Sequence, residues 1–148
     1  MTDYDLMCRQ AEELAKDSRW DITLYANIAA LIYESLENLN WAGFYLIRDG
    51  VLQLGPFQGK IACMQIPIGK GVCGTAVKER RIIKVPDVHE FPGHIACDSA
   101  SESEIVLPLL KDGNIIGVLD IDSPIKNRFS EDDELGLQSI IHIIEHYI

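Results

Sequence analysis

Residues 41–54 read WAGFYLIRDGVLQL, and this stretch decides the fold class. Residues 41–48 and 51–54 are rich in amino acids that favour β-strands, and Asp49-Gly50 lies between them. Asp-Gly between two such runs is a strong signal for a β-hairpin. The stretch therefore predicts two antiparallel strands joined by a tight turn.

The second half of the chain contains a similar pattern. Residues 104–111 (EIVLPLLK) and 114–122 (NIIGVLDID) flank Asp112-Gly113, which predicts a second hairpin. Between the two hairpins, the sequence predicts strands at 61–67 and 81–85, a short helix near 72–80 and a long loop at 86–103. A loop of that length inside a compact domain is usually functional or disordered.

Helices are expected on either side of this strand-rich region. Apolar residues at helical spacing predict helices over residues 3–17 and 21–38, and Asp21 is the candidate N-cap of the second. Ser130 and Asp133 resemble a capping box, which predicts a closing helix that continues to the C-terminus. This order implies an α+β domain, in which helices cover one face of an antiparallel sheet.

Composition narrows the class of protein. The chain has 148 residues and is 47% hydrophobic, which fits one domain with a sizeable core and excludes a disordered protein. Its net charge is −10, which disfavours nucleic acid and anionic membranes as partners, because they carry charge of the same sign. The first residues are acidic where a signal peptide would be basic, and no apolar run reaches transmembrane length. We therefore expect a cytoplasmic protein.

The four cysteines are too sparse for a secreted disulfide scaffold. Cys8 lies on a predicted helix, and we interpret it as a packing residue. Cys97 lies among polar residues of the long loop, three positions after His94, whose imidazole would stabilise a thiolate; we interpret this cysteine as functional. Cys73 lies at a predicted helix N-terminus, where tight packing and a stabilised thiolate are about equally supported. Cys63 precedes the strand-like residues 65–67.

Zinc binding is the main chemical alternative to redox chemistry for these cysteines. No C-x-x-C pair is present, and structural zinc sites usually need one, so we expect no metal there. His142 and His146 have metal-ligand spacing on the last predicted helix but no third ligand near them in sequence, and we interpret them as helix surface. A dithiol cycle fits better, since it needs one exposed thiol and one resolving thiol within reach.

Three carboxylates are candidates for a binding pocket. Asp120 and Asp122 point to one face of a predicted strand, because side chains two residues apart share a face, and Glu104 begins another strand. Spacing alone slightly favours a solvated sheet edge. Gly117 and Val118 instead indicate an internal strand. Several carboxylates in one pocket would suit an ammonium group on a small ligand.

Four segments together resemble the free methionine-(R)-sulfoxide reductases, which are stand-alone GAF domains: NWAGFY at 40–45, GKGVCGTA at 69–76, GHIACD at 93–98 and GVLDIDS at 117–123. The resemblance extends from about residue 20 to the C-terminus. It is specific, because ordinary GAF domains lack three cysteines with these neighbours. One departure is Gln65, where the family often has a basic residue.

The resemblance implies a single GAF domain over residues 1–148. In that fold a central antiparallel sheet carries the N- and C-terminal helices on one face and a loop-covered ligand pocket on the other. The resemblance also implies roles for three cysteines. Cys97 matches the catalytic cysteine, Cys63 the usual resolving partner, and Cys73 a third cysteine that assists recycling or resolves in some members.

The resemblance further assigns a substrate pocket. Glu104, Asp120 and Asp122 match the substrate-binding carboxylates, and Trp41 and Tyr45 match pocket aromatics. The implied activity is reduction of free L-methionine-(R)-sulfoxide to methionine through a sulfenic acid and an intramolecular disulfide. The implied reductant is thioredoxin, with no bound cofactor, and a homodimer is left open. Two alternatives stay open: a non-catalytic GAF sensor of a small molecule, and a redox switch that alters a protein contact.

Overall fold

The computed structural model describes residues 1–95 and 97–148. Within these ranges the helices are α1 (Tyr4–Asp17), α2 (Asp21–Ser35), α3 (Gly71–Glu79) and α4 (Glu131–Tyr147), with a 3₁₀ turn at Val88–Glu90. The strands are β1 (Trp41–Arg48), β2 (Val51–Gly59), β3 (Gln65–Ile66), β4 (Ile83–Val85), β5 (Ser103–Lys111) and β6 (Asn114–Ser123). None of the helices in these ranges combines the length and apolarity that a membrane crossing requires.

The strands form one antiparallel sheet in the order β3-β2-β1-β6-β5-β4. Both predicted hairpins are present. Asp49 and Gly50 have φ values of 54° and 79°, and Asp112 and Gly113 have 53° and 78°, which is the backbone of a two-residue hairpin turn. The two hairpins pair with each other through β1 and β6. One strand of each hairpin therefore lies at the centre of the sheet.

Helices α1, α2 and α4 cover one face of the sheet. Ile28 of α2 and Ile140 of α4 are fully buried in one core cluster with Phe44 of β1 and Leu119 of β6. This cluster accounts for the amphipathic pattern of the helices, because α2 packs on β1 and β2, α4 packs on β5, and α1 packs on α4 and α2. The expected position of the N- and C-terminal helices is confirmed.

The opposite face of the sheet carries a smaller cluster around α3. Because strand side chains alternate between faces, Trp41 and Tyr45 lie on the side opposite Phe44. They pack there with Val118 and with Val72 of α3. The central strand β1 therefore contributes to both cores, and its α3 side is where the pocket forms.

Several element boundaries differ from the sequence-based expectations. The strand expected at 61–67 contains only Gln65–Ile66, because β3 pairs with β2 over two residues at the sheet edge. Helix α2 stops at Ser35, and Asn38 just beyond it has a φ of 60°, which a continuing helix does not allow. Asp21 is the first residue of α2 and not its N-cap, since Trp20 occupies that position without a capping side-chain hydrogen bond.

The capping box of α4 is confirmed. The Ser130 hydroxyl accepts a hydrogen bond from the Asp133 N–H at 3.1 Å, and the Asp133 carboxylate accepts one from the Ser130 N–H at 2.9 Å. Two N–H groups that the helix itself leaves unpaired are thereby satisfied. Local sequence alone therefore sets the start of α4.

We predict that Gly117→Ala destabilises the sheet centre. A Cβ on Gly117 would lie 2.4 Å from the Tyr45 carbonyl oxygen, so β1 and β6 would have to separate. We expect a loss of about 1–3 kcal/mol in the free energy of unfolding, measured by urea denaturation. Asn114→Ala, at the exposed start of β6, is the control and should change it by less than about 0.5 kcal/mol. Equal unfolding midpoints for wild type and Gly117→Ala would contradict this packing argument.

Candidate functional site

A pocket lies on the α3 side of the sheet, bounded by α3, by the segment before β3 and by the loop before β5. Its lining includes seven of the residues singled out from the sequence: Trp41, Tyr45, Cys73, Cys97, Glu104, Asp120 and Asp122. The eighth, Cys63, reaches the pocket through its bond to Cys97. The cavity volume is about 40 Å³, which is room for a few water molecules.

Cys63 and Cys97 form a disulfide that closes one side of the pocket. Their Cα atoms are 5.5 Å apart although 34 residues separate them in sequence. Both side chains are half-buried. The structure therefore joins the two cysteines that the family resemblance pairs as catalytic and resolving, whereas Cys8 and Cys73 are free thiols.

Cys73 lies in the first turn of α3 with its thiol facing acidic side chains. It is 3% exposed, and its sulfur and the carboxyl oxygens of Glu104 and Asp120 all lie within 4.8 Å of one another. Burial raises the pKa of Cys73 well above its usual value, and the negative charges of Asp120 and Glu104 raise it further. The effect of the helix N-terminus, considered from the sequence, is outweighed, and Cys73 is a protonated thiol.

The three candidate carboxylates meet on β5 and β6, the two strands of the second hairpin. Glu104 of β5 lies opposite Asp122 of β6, and Asp120 lies two residues before Asp122 on the same face. Glu104 and Asp120 are each 6% exposed, and Asp122 is half-buried. The solvated-edge interpretation that spacing favours is therefore wrong, because β6 is an internal strand between β1 and β5.

Burial governs the protonation of this carboxyl cluster. Desolvation, followed by the charge of Asp122, raises the pKa of Glu104 to about 8. Desolvation also raises the pKa values of Asp120 and Asp122 well above their usual range, and the neighbouring carboxylate raises each further. The cluster therefore retains protons near neutral pH. Among the described residues, Asp120 Oδ1 is buried without a hydrogen-bond partner, which leaves an acceptor for a ligand donor.

His94 lies beside the carboxyl cluster. Its Nε2 is 3.7 Å from Glu104 Oε1, and the imidazole is half-buried. Burial lowers the pKa of His94, and the charge of Asp120 opposes that shift. The sequence suggests His94 as a partner for the Cys97 thiolate, and the structure places its ring against Glu104.

The aromatic wall of the pocket is fixed by stacking and by hydrogen bonds. The Trp41 ring stacks on Tyr45 and Phe57, with centroid distances of 5.8 and 5.2 Å. Trp41 Nε1 donates to the carbonyl of Lys60, and the Tyr45 hydroxyl donates to the carbonyl of Cys63 at 2.8 Å. Burial raises the pKa of Tyr45, so the hydroxyl keeps its proton as a donor. These bonds hold the Cys63 segment against β1.

Asn40 contacts the segment that follows Cys97, and the sequence did not single it out as a site residue. Asn40 Nδ2 donates to Asp98 Oδ2 and to Ser101 Oγ, both at 3.0 Å. Asp98 and Ser101 line the pocket. Asn40 and Asp98 do occur in the segments that carry the resemblance, but their mutual contact spans 58 residues and has no local signature. Ala96, within the segment 93–98, lies outside the described residues.

Within residues 1–95 and 97–148, two clusters have the residue types of metal ligands. Cys73, Glu104 and Asp120 form one of them, and protonation of these donors opposes metal binding. Asp87, His89 and Glu102 form the other. In this second cluster, His89 Nε2 lies 2.9 Å from Glu102 Oε2.

Three other positions lie away from the site. His142 and His146 are exposed on α4, which covers the other face of the sheet, and they fit the helix-surface interpretation. Gln65, the departure from the family pattern, is exposed on β3. Gln65 is not among the residues that line the pocket.

Comparison with known proteins links this geometry to a family. Residues 22–148 match the GAF domain family. The Escherichia coli protein named free methionine-R-sulfoxide reductase is 59% identical over 120 residues, covering 81% of this chain and 73% of that protein. Protein YtsP of Bacillus subtilis is 54% identical over 145 residues, covering 97% of this chain and 89% of that protein.

Solved structures show the same similarity. The structure of fRMsr of Staphylococcus aureus in complex with substrate superposes with a TM-score of 0.95 at 53% identity. The match covers 99% of this chain and 96% of that one. The likeness thus extends over the whole pocket and both helical flanks.

We predict that Glu104→Gln makes the free energy of unfolding less dependent on pH between about 4.5 and 8. The pKa of Glu104 rises from 4.5 to about 8 on folding, so the unfolded chain ionises first, and stability falls as pH rises through that window. Glu104→Gln lacks this ionisation. It should exceed wild type by about 4 kcal/mol in unfolding free energy at pH 8, with the difference shrinking towards pH 4.5.

Urea denaturation of the oxidised proteins at several pH values measures this difference. Glu34→Gln, on the exposed face of α2, is the matched control and should follow the wild-type curve. Parallel curves for wild type and Glu104→Gln would contradict the assignment of a buried, proton-retaining carboxyl.

Proposed function

The chain belongs to the free methionine-R-sulfoxide reductases of the GAF domain family, and we propose that it reduces free L-methionine-(R)-sulfoxide to methionine. The observation that carries this proposal is the Cys63–Cys97 disulfide, which closes a pocket lined by buried carboxyls and an aromatic wall. A redox-active thiol, a proton source and a site for a cationic group are thereby brought together.

Substrate recognition is assigned to the carboxyl cluster. The free amino acid carries an ammonium group, whose positive charge lowers the raised pKa values of Asp120 and Asp122 and pairs with their ionised forms, while Glu104 keeps its proton. Asp120 Oδ1, which has no partner among the described residues, is a suitable acceptor for an N–H of that group. A methionine inside a polypeptide has a neutral amide at this position and would leave buried carboxylates unpaired.

The aromatic wall is assigned to the methyl end of the substrate. Trp41 is buried and held by its stacking on Phe57 and Tyr45, so it offers a rigid apolar surface. Such a surface suits the S-methyl group. It orients the sulfoxide sulfur towards Cys97, which also lines the pocket.

The chemical step transfers the sulfoxide oxygen to Cys97. The thiolate of Cys97 attacks the sulfoxide sulfur, and the oxygen must be protonated before the sulfur–oxygen bond breaks. Glu104, with a pKa of about 8, is protonated near neutral pH and is a suitable donor. The hydroxyl group then moves to the Cys97 sulfur as the bond between the two sulfurs breaks, so methionine leaves with the electron pair and Cys97 becomes a sulfenic acid.

Resolution of the sulfenic acid is assigned to Cys63. The Cys63 thiol attacks the Cys97 sulfur, forming the disulfide and releasing water, so two thiol electrons have reduced one sulfoxide. The observed bond supports Cys63 as the main resolving cysteine. Cys73 is buried with a raised pKa, which makes it a weak nucleophile, and we assign it to the pocket wall and a minor part in turnover.

Recycling is assigned to a dithiol protein of the thioredoxin type. It must place a thiolate on one sulfur of the disulfide, so it must contact the surface around Cys63. Ile61 and Met64 flank that cysteine and are 87% and 74% exposed, which offers an apolar contact surface. Such recycling needs a reducing compartment, in keeping with the cytoplasmic location expected from the sequence.

We predict that Cys97→Ser forms no methionine, because no thiolate attacks the sulfoxide. Cys63→Ser should form about one methionine per enzyme and then lose about tenfold or more in steady-state rate, since the sulfenic acid is not resolved internally. Cys73→Ser should stay within about threefold of wild type, because its thiol is buried and protonated. Methionine release with thioredoxin, thioredoxin reductase and NADPH measures all three.

Cys8→Ser is the matched control for these variants, because this free thiol lies outside the pocket lining, and its turnover should equal that of wild type. Equal activity of wild type and Cys97→Ser would refute the assignment of the nucleophile. A disulfide that forms under peroxide while free sulfoxide is left unreduced would favour the redox switch. Binding of a small molecule without either reaction would favour the sensor.

We also predict discrimination against a blocked amino group. N-acetyl-methionine-(R)-sulfoxide keeps the reacting sulfur but has a neutral amide, so it cannot pair with the carboxyl cluster. Its kcat/KM should be at least about 100-fold below that of the free amino acid, because buried carboxylates would be left unpaired. Similar kcat/KM values for the two substrates would contradict recognition through the ammonium group.

A further inference from the structure

Asn40 connects the sheet to the loop that carries Cys97. Its backbone N–H donates to the carbonyl of Asp122 at 3.0 Å, which fixes it at the end of the carboxyl-bearing strand β6. Its side-chain Nδ2 donates to Asp98 Oδ2 and Ser101 Oγ, both at 3.0 Å. One residue therefore contacts both the carboxyl side and the cysteine side of the pocket.

The loop segment after Cys97 is ordered by its own hydrogen bonds. Asp98 Oδ1 accepts the Ala100 N–H at 2.9 Å, and the Asp98 carbonyl accepts the Ser101 N–H at 3.2 Å. Ser101 is 6% exposed. Residues 98–101 thus form a compact turn that begins immediately after Cys97, and a displacement of this turn would displace the cysteine.

The orientation of the Asn40 amide follows from its partners. The pKa of Asp98 is lowered by the Ala100 N–H and the Asn40 amide, so its carboxylate is ionised and only accepts hydrogen bonds. Nδ2 must therefore face Asp98, and the bond is charge-assisted. Among the described residues, Asn40 Oδ1 is buried without a partner, which indicates that its two donor contacts determine where the amide lies.

We propose that Asn40 is a positioning residue that holds the turn at residues 98–101 and thereby sets the distance of Cys97 from Cys63 and from the carboxyl cluster. Asp98 and Ser101 line the pocket, and Asn40 acts on it through them. The role of Cys97 in turnover rests on the proposed function. The effect of Asn40 on the Cys63–Cys97 pair does not, because it can be measured without any substrate.

The direct test is the equilibrium of the Cys63–Cys97 disulfide in glutathione buffers. Oxidised glutathione takes up two electrons from the two thiols, which gives the protein disulfide and two molecules of reduced glutathione. The equilibrium constant of this reaction therefore reports the effective concentration of one thiol at the other. Asn40→Ala should lower this constant about tenfold, since it loses a charge-assisted hydrogen bond. Thiol alkylation followed by mass analysis measures it.

Further variants separate positioning from general damage. Ser101→Ala removes one of the two acceptors and should show a smaller decrease than Asn40→Ala. Asn40→Asp places a carboxylate against Asp98 and should lower the constant at least as much as Asn40→Ala. Ser99→Ala, an exposed position in the same turn, is the matched control and should leave the constant unchanged.

Turnover provides the second measurement. The kcat for methionine formation by Asn40→Ala should fall about tenfold, while the unfolding midpoint of the fully reduced protein stays near that of wild type. An unchanged disulfide equilibrium in Asn40→Ala would overturn the proposal, whether or not the unfolding midpoint falls. If Asn40→Ala does not fold, an unchanged equilibrium in Ser101→Ala overturns it.

The outcome also distinguishes this inference from the proposed function. A wild-type protein that forms no methionine refutes the proposed function. A tenfold shift of the disulfide equilibrium in Asn40→Ala would still support the positioning role in that case.

Discussion

The antiparallel pairing of β1 with β6 places Trp41 opposite Asp122 and Gly43 opposite Asp120. This register puts the aromatic wall and the carboxyl cluster side by side on one face of the sheet, with α3 above them. A shift of one residue would turn either set towards the three helices on the other face. The pocket therefore depends on this pairing, and Gly117, which allows the close approach of the two strands, belongs to the same constraint.

Burial of the carboxyls lowers the free energy of unfolding when they ionise, and the same burial supports the proposed chemistry. Most of the acidic residues that give the chain its net charge of −10 can be solvated, whereas Glu104 and Asp120 are each 6% exposed. Ionising them in that environment is unfavourable, so they hold protons at a pH where ordinary carboxyls do not. A site with these properties attracts a cationic group and can release a proton to a leaving oxygen.

Strand β1 and the residue before it act on both cysteines of the disulfide. Tyr45 donates to the carbonyl of Cys63, and Asn40 donates to the turn that follows Cys97. The two sulfurs belong to loops, which the sheet by itself does not align. Hydrogen bonds from Tyr45 and Asn40 hold the segments next to the two sulfurs, which are bonded across 34 residues of sequence.

The sequence by itself determined the elements whose causes are local: the Asp-Gly turns of both hairpins, the capping box at Ser130 and the amphipathic helices. Its four family segments also contain most of the residues that line the pocket, although Glu104 and Ser101 lie outside them. Tertiary structure alone decided that Glu104 and Asp120 are buried, that Cys73 is protonated, and that Asn40 contacts Asp98. Strand order and burial arise from contacts between distant segments, and the periodicity of a single strand is the same at a sheet edge as at its centre.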